Sequence, residues 1–254
     1  MKTIRYTIII IIFILSSSCS KSDDTPVIQV FFPTQIQKTD YSDSNKNRTY
    51  TIAYNSQNQI TEITEIAVTG ESLTKTFTYS SGLLMNISVS NNINSEITTY
   101  EYIYNSSALL TSIIETNNTA TYSYAVSYDS TSNSYSLNDS GIVMTLFLDD
   151  ENSPIEFELS PTLSFTIITD NESSGAFKNV KNQIAIQLTY NFIEGINFCF
   201  FHHKQINNID FGTTNLNVIN SRDSNNNIRT VNYNNTATGQ TVYGYVITYS
   251  ERNL

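Results

Sequence analysis

The chain has 254 residues and a formal net charge of −10, from 23 acidic and 13 basic side chains. Nucleic-acid binding depends on Lys and Arg that neutralise phosphates, so this balance argues against a nucleic-acid partner. It equally argues against a basic patch that binds anionic lipid headgroups. We therefore expect no nucleic acid among the partners.

The N-terminus has the layout of an export signal over residues 1–18. Lys2 and Arg5 form a positive n-region, and residues 6–15 form an apolar run of about ten residues. A helix needs roughly 20 apolar residues to cross a bilayer, so this run is too short to span one. Three serines follow, and then Cys19.

Residues 15–19, Leu-Ser-Ser-Ser-Cys, resemble the lipobox of bacterial lipoproteins, with Ser16 in the place of the usual leucine. The resemblance implies that Cys19 is acylated and becomes the first residue of the mature chain, which anchors it in the outer membrane. Residues 20–26 are polar and acidic, and we assign residues 19–47 to the lipidated N-terminus and a flexible tether. The acids after the cysteine resemble the surface-export signal of Bacteroidota lipoproteins. This implies display at the cell surface; the periplasmic face is the alternative.

A repeat of about 25 residues begins near residue 48 and predicts β-hairpins. Tyr54, Tyr79, Tyr104 and Tyr128 lie 25, 25 and 24 residues apart. Before each tyrosine the apolar residues alternate with period two, as in a half-buried strand, and after it come Asn, Asp, Ser or Gly, as in a turn. A second apolar segment and a second polar turn complete each unit. Because one hairpin cannot bury its own face, several must join.

The sequence thus predicts an all-β fold, an antiparallel meander of hairpins that forms a strongly twisted sheet or a partial or closed barrel. We assign residues 48–254 to one domain. Residues 149–212 break the period and are predicted to be an irregular insertion that packs on the sheet, with probable strands at 155–159 and 163–169. Residues 184–193 fit a strand and a short helix equally.

The units Tyr-x-Tyr-(Asn/Asp)-x-x-x-x-Leu-Thr-x-Ile resemble the YD repeats of RHS proteins. Together with the lipobox and the segment 175–180, Gly-Ala-Phe-Lys-Asn-Val, they are similar to Bacteroidota lipoproteins of unknown function that carry a YD-like β domain. The resemblance spans roughly residues 48–250. It implies fold and location rather than an activity, since its motifs are structural.

Three groups of residues were weighed as reactive sites. Glu156 and Glu158 share one strand face, about 6.6 Å apart, but a solvated face is the preferred interpretation. Cys199 and His203 share a face while His202 points away, which falls short of a three-ligand zinc site. Residues 223–234 start like a calcium loop but lack its glycine and its final glutamate. We therefore expect no metal, no cofactor and no catalytic residues.

The tyrosine stripes offer the best candidate contacts. Tyr100, Tyr102, Tyr122 and Tyr124 are predicted to contact a ligand if their face of the sheet is open. The preferred alternative is that these rings form cross-strand ladders in the core.

We expect a lipid-anchored, non-enzymatic protein that acts as a surface binding or structural module, with a glycan or a protein as partner. The second hypothesis is a periplasm-facing half-barrel that carries a lipid or another apolar ligand. An enzyme that acts on glycans is the third. An exposed aromatic patch, an apolar cavity and converging carboxylates would respectively distinguish the three.

Overall fold

A computed structural model of the protein describes residues 29–160, 162–181, 183–193 and 202–253. The predicted signal peptide, Cys19 and Cys199 lie outside the described residues. Phe31–Glu251 form one compact unit; Met1–Val30 and Arg252–Leu254 form a second, of which only strand ends are described. No helix in the described ranges is long and apolar enough to cross a membrane.

Sixteen antiparallel strands form a closed barrel in which each strand pairs with its neighbours in sequence and β1 meets β16. The expected all-β meander is therefore confirmed, and of the forms left open it takes the closed one. The strands are β1 Gln29–Asp40, β2 Arg48–Tyr54, β3 Ile60–Ala67, β4 Ser72–Ser80, β5 Leu83–Asn91, β6 Ile97–Tyr104, β7 Leu110–Thr116, β8 Thr121–Asp129, β9 Ser134–Asp139, β10 Ile142–Leu148, β11 Pro154–Ser160, β12 Leu163–Ser174, β13 Lys204–Asp210, β14 Asn215–Arg222, β15 Ile228–Asn235 and β16 Thr241–Asn253.

Residues 29–40 form β1, although the sequence analysis assigned them to the tether. Phe32 and Ile36 are fully buried in the barrel, and Ile36 pairs with Tyr50 of β2. The sequence does not predict this strand because polar residues between Phe32 and Ile36 obscure the period-two alternation, and because proline at position 33 is unusual in a central strand. A short 3₁₀ turn, Ser44–Lys46, joins β1 to β2.

Alternation along each strand divides the barrel wall into an apolar inner face and a polar outer face. On β4, Phe77 is buried inside while Thr76 and Thr78 are exposed; on β8, Val126 is buried while Ser127 is exposed. Burial of apolar side chains, at about 25 cal/mol per Å², therefore stabilises the barrel from within.

The repeated turns owe their shape to Asn or Asp at the first turn position. The Asn55 Oδ1 accepts hydrogen bonds from the amides of Gln57 and Gln59, 2.9 and 3.1 Å long. Asn58 then takes a positive φ of 64°, which Asn adopts more readily than most residues. The turns that begin at Asn105, Asp149 and Asp223 have the same two amide bonds and a positive φ three residues on.

The barrel has two ends, which we name by their turns. The plug end carries these turns, which begin with Asn or Asp, and the long connection between β12 and β13. Strand β1 also begins at this end. The far end carries the turns β1–β2, β3–β4, β5–β6, β7–β8, β9–β10, β11–β12, β13–β14 and β15–β16.

Residues 175–203 connect β12 to β13. We call the described ones, 175–181, 183–193 and 202–203, the plug, and they fold into the interior. Within the stretch predicted as an insertion, 149–212, the strands β11, β12 and β13 continue the meander and only the plug leaves it. It contains helix α1, Gln183–Leu188, and a π-helical turn, Thr189–Ile193. Ile186 and Leu188 are fully buried.

Inward-facing side chains of the wall pack around the plug. The Lys75 Nζ lies 4.1 Å from the centre of the Tyr190 ring, a cation–π contact. The Phe157 ring meets the Phe192 ring edge-on, with centroids 5.8 Å apart. The plug therefore fills space that a sixteen-stranded barrel would otherwise leave as a channel.

Candidate functional site

The four tyrosines proposed as ligand contacts occupy two inward-facing rows, one on β6 and one on β8, and β7 lies between these strands. Tyr100, Tyr102 and Tyr124 are buried inside the barrel, in agreement with the core-ladder alternative. Tyr122 continues the inward row of β8 to the far end, where 49% of it is exposed. The Tyr102 hydroxyl meets the Thr189 hydroxyl of the plug at 2.6 Å. Tyr102 therefore belongs to the packing of the plug.

At the far end the remaining tyrosines surround Glu115. Glu115 pairs with Tyr100 on one side and Tyr122 on the other, and the Tyr124 hydroxyl donates a 2.8 Å hydrogen bond to its Oε2. Burial, then the hydrogen bond to Glu115, then the charges of Glu115 and Asp139 raise the pKa of Tyr124. The Tyr124 hydroxyl therefore stays protonated and donates its hydrogen bond at every physiological pH. The carboxylates of Glu115 and Asp139 place negative charge beside these aromatic rings.

Exposed apolar side chains concentrate at this same end. Fifteen large apolar or tyrosine side chains are exposed among the described residues, and ten lie in a far-end turn or within two residues of one. The ten, which we call the far-end ring, are Tyr41, Ile66, Val68, Ile93, Ile97, Tyr122, Ile142, Val143, Leu163 and Phe211. The other five, Met85, Ile103, Ile168, Ile219 and Val246, are scattered over the wall. A concentration of this kind marks an interaction surface more often than single exposed residues do.

Carboxylates accompany the ring. The far-end turns, with three residues on either side of each, hold nine acidic residues: Asp40, Asp43, Glu65, Glu71, Glu96, Glu115, Asp139, Glu158 and Asp210. They hold three basic residues, and all three are in contact with other side chains. Lys46 pairs with Asp43 at 3.7 Å, Arg48 pairs with Glu65 at 3.1 Å, and Lys38 lies over the Tyr243 ring at 5.1 Å.

The bases all lie in the β1–β2 sector of the far end. From the β5–β6 turn to the β13–β14 turn the same segments of the far end contain Glu96, Glu115, Asp139, Glu158 and Asp210 and neither Lys nor Arg. The sequence does not reveal this surface, because its apolar residues are divided among separate turns and strand ends that only the fold brings to one end of the barrel.

The plug end offers a second candidate, a small apolar cavity. Its volume is about 150 Å³, and its lining comes from the plug and from four strands and turns: Leu83, Leu84, Tyr104, Ala108, Leu110, Tyr135, Ile184 and Ala185. A cavity of this size accepts an aromatic ring or a few methylenes. A groove of about 190 Å³ also lies beside Lys38, Arg48 and Ile66 at the far end.

The glutamates and histidines considered in the sequence as reactive groups lie apart from any such site in the described residues. Glu156 and Glu158 lie on the outer wall, opposite Thr166 and Ser164 of β12. The buried His202 has its Nε2 2.6 Å from the carbonyl of Pro154, and the His203 Nε2 lies 3.1 Å from that of Val180. Three or more His, Cys, Asp or Glu that could hold a metal ion do not converge within the described part of the chain.

Asp223 stabilises the turn between β14 and β15. Its Oδ1 accepts from the amides of Asn225 and Asn227, which holds the pKa of the carboxyl below its ordinary value although burial opposes this. Lys204 pairs with Asp149 at 2.6 Å and with Glu151 at 3.2 Å.

No protein-family model matches this chain. No curated protein matches it either. Among solved structures, the chain is similar to a porin-like protein from Bacteroides uniformis ATCC 8492, with a TM-score of 0.49 and 12% sequence identity. The similarity covers 87% of this chain and 96% of the other.

Proposed function

We propose that this protein is a lipid-anchored, non-enzymatic barrel that works as a binding module in the aqueous phase beside the outer membrane. The observation that carries the proposal is the sidedness of its wall, apolar inside and polar outside. Transmembrane barrels have the opposite pattern, an outer apolar band that meets lipid and a polar lumen. Thr76, Thr78 and Ser127 hold positions where a lipid-facing wall would need apolar side chains.

The plug supports the same proposal. A pore needs a water-filled path, whereas here Ile186, Leu188 and Tyr190 are buried against the inner wall. Opening a channel would require removal of a packed helix from an apolar interior. A packed interior leaves the outer surfaces for recognition, and the far-end ring holds ten of the fifteen large apolar or tyrosine side chains that are exposed among the described residues.

The anchor in this proposal is Cys19. Several acyl chains, at about 0.8 kcal/mol per buried methylene, hold a protein on a membrane without any spanning strand.

Fractionation with and without Cys19 tests the proposal. We expect the wild-type chain to pellet with outer membranes and to incorporate labelled palmitate. We expect Cys19→Ser to appear in the soluble fraction with an unchanged circular dichroism spectrum. A Cys19→Ser chain that stays in membranes after an alkaline carbonate wash would show that the barrel itself spans the bilayer. Protease shaving of intact cells then distinguishes the cell surface from the periplasmic face.

A carrier of small apolar ligands is the second candidate, and the 150 Å³ cavity beside α1 favours it. Ala108→Phe would fill that cavity from a turn residue. Organic extraction of the purified protein, followed by mass spectrometry, should recover a bound apolar compound from the wild type and not from the variant. An empty wild-type extract would eliminate the carrier role.

A further inference from the structure

We infer that the far-end ring docks a cationic amphipathic segment of a partner protein; this inference rests on the proposed function, since it needs the far end in water. The segment would carry lysine or arginine beside apolar side chains on one face. We infer this chemistry because exposed apolar side chains lie beside carboxylates that have no Lys or Arg near them in the sequence of the same turns.

The apolar component is the first step. Ile93 is 68% exposed in its turn, and Phe211 is 37% exposed while one side of its ring packs against the buried Phe165 ring, with centroids 5.3 Å apart. Exposed apolar surface of this kind gains free energy when a partner covers it. A purely polar partner, such as a hydrophilic glycan, would leave these aliphatic side chains in water.

The charge component selects the sign of the partner. Each apolar sector has an acid beside it: Glu96 lies next to Ile97, Asp139 pairs with Ile142 across the β9–β10 hairpin, and Asp210 precedes Phe211. Between the β5–β6 and β13–β14 turns no base offsets these charges. Complementary potentials speed encounter and disfavour partners of like charge.

The same charges argue against three other occupants. An anionic membrane surface and a nucleic acid would be repelled. A second copy of this chain would bring a second acidic ring against the first. A cationic amphipathic segment matches both components, and its apolar residues would also reach Tyr122, whose ring stands beside Glu115.

Peptide binding to the full chain tests the inference. The protein is the full-length chain with Cys19→Ser, which keeps every barrel residue. The probes are a fluorescent amphipathic helical peptide of lysine and leucine, a lysine and serine peptide of equal charge, and a glutamate and leucine peptide of equal length. Fluorescence anisotropy at low and at high salt gives the affinities.

We expect the lysine–leucine peptide to bind at least about tenfold more tightly than either of the other peptides, and more weakly at high salt. Ile93→Ser with Phe211→Ser should weaken it about tenfold, and Glu96→Gln with Asp139→Asn about fivefold. Two matched controls, Ile219→Ser on the outer wall and Asp129→Asn at the plug end, should change it less than about twofold.

The outcomes separate the inference from the proposed function. Equal binding of the lysine–serine and lysine–leucine peptides would overturn the inference, as would equal losses in the ring variants and in the controls. Tighter binding of the glutamate–leucine peptide, or of anionic vesicles, would overturn the assigned chemistry. Each of these results leaves the fractionation of Cys19→Ser unchanged, whereas membrane insertion of that variant would overturn the proposed function.

Discussion

The hydroxyls of Tyr102 and Thr189 lie 2.6 Å apart inside the barrel, although 87 residues separate them in the sequence. The Thr189 Oγ1 also donates to the carbonyl of Ala185, at 3.0 Å, so it accepts from Tyr102. A wall tyrosine and a residue of the π-helical turn thus share a buried hydrogen-bond chain. This chain joins the repeat region to the plug.

The first prediction concerns this pair. Tyr102→Phe removes one buried hydrogen bond and should lower the free energy of unfolding by about 1–2 kcal/mol. Thr189→Val removes two, the second to the carbonyl of Ala185, and should lower it by about 1–3 kcal/mol. The double variant should lose less than the sum, with a coupling of about 1 kcal/mol. Urea unfolding followed by tyrosine fluorescence measures all four proteins.

Tyr122→Phe is the matched control, because its ring is half exposed and it should change stability by less than about 0.5 kcal/mol. Strictly additive losses in the double variant would mean that the two hydroxyls act independently and that the plug is held elsewhere.

The second prediction concerns the tyrosines that define the repeat. The Tyr104 hydroxyl donates to the carbonyl of Leu84 in the preceding hairpin at 2.9 Å, and Tyr79 donates to that of Ile60 at 2.7 Å. The strand register shifts at each of these tyrosines, between Thr78 and Tyr79 and at Tyr104. A bulge leaves ladder groups unpaired, and the next tyrosine supplies a donor.

Tyr104→Phe should therefore destabilise the barrel by about 1 kcal/mol, and Tyr79→Phe by a similar amount. The two losses should add in the double variant, since each hydroxyl has its own carbonyl. Burial, with a smaller effect from Tyr135, raises the pKa of Tyr104 to about 12, so spectrophotometric titration gives a second readout. An ordinary phenol pKa at this position would contradict the buried bond.

The tyrosine repeat also shows which features of the fold can be predicted from the sequence. Period-two alternation and the Asn or Asp after each tyrosine predict hairpins, because both signals are local. Closure of the barrel depends on pairing between β1 and β16, more than 200 residues apart, and no local pattern encodes it. The position of the plug inside the barrel is likewise a property of packing, so Ile184 to Ile193 stayed ambiguous between strand and helix.

The candidate surface was less accessible to sequence reasoning. The sequence predicts that the four tyrosines share one face, and the structure places them in inward-facing rows of β6 and β8, with Tyr122 alone of the four exposed. Exposure depends on depth along the barrel axis, which the alternation of a strand does not reveal. The lipid anchor at Cys19 stays a prediction.

The third prediction concerns Gly175, where β12 turns into the plug. A Cβ here would meet the main-chain carbonyls of His202 and Lys204, and the Gly175 amide donates to the carbonyl of His203. Gly175→Ala should cost about 1–3 kcal/mol, because two backbones would have to separate. Chemical denaturation gives the loss, and near-ultraviolet circular dichroism reports whether the plug aromatics keep their packing.

Gly212→Asn is its control. Gly212 has a φ of +77° and open space around its Cα, and asparagine tolerates that conformation. We expect a change of less than about 0.5 kcal/mol there. If Gly175→Ala were as mild as this control, the close approach of the two backbones would not constrain the plug.

The fourth prediction is a pH dependence that originates at His202. Its Nε2 donates to the carbonyl of Pro154, and in the neutral ring its Nδ1 accepts from the amide of Lys204 at 3.1 Å. Burial lowers the pKa of His202 below 6.5 and outweighs the hydrogen bond to Pro154, which raises it. Burial lowers the pKa of the neighbouring His203 as well.

Because the folded pKa of His202 lies below the unfolded value, the unfolded chain binds more protons as the pH falls. The stabilisation is complete above about pH 6.5 and declines toward the folded pKa, with a slope of at most about 1.4 kcal/mol per pH unit for each histidine. The Asp149 carboxylate loses its own contribution only below its ordinary pKa of 3.8, since hydrogen bonds from Lys204 and two backbone amides overcome the opposing effect of burial and hold its pKa down.

Urea unfolding at about pH 7.5 and about pH 5 measures the slope. His202→Gln keeps an amide donor for Pro154 and an oxygen that accepts from Lys204, so the variant should fold and lose part of the pH dependence. The double variant His202→Gln with His203→Gln should lose most of the remaining pH dependence of the free energy of unfolding. A wild type of equal stability at both pH values would mean that His202 takes up its proton in the folded barrel, where the carbonyls of Pro154 and Lys204 would both accept from the ring.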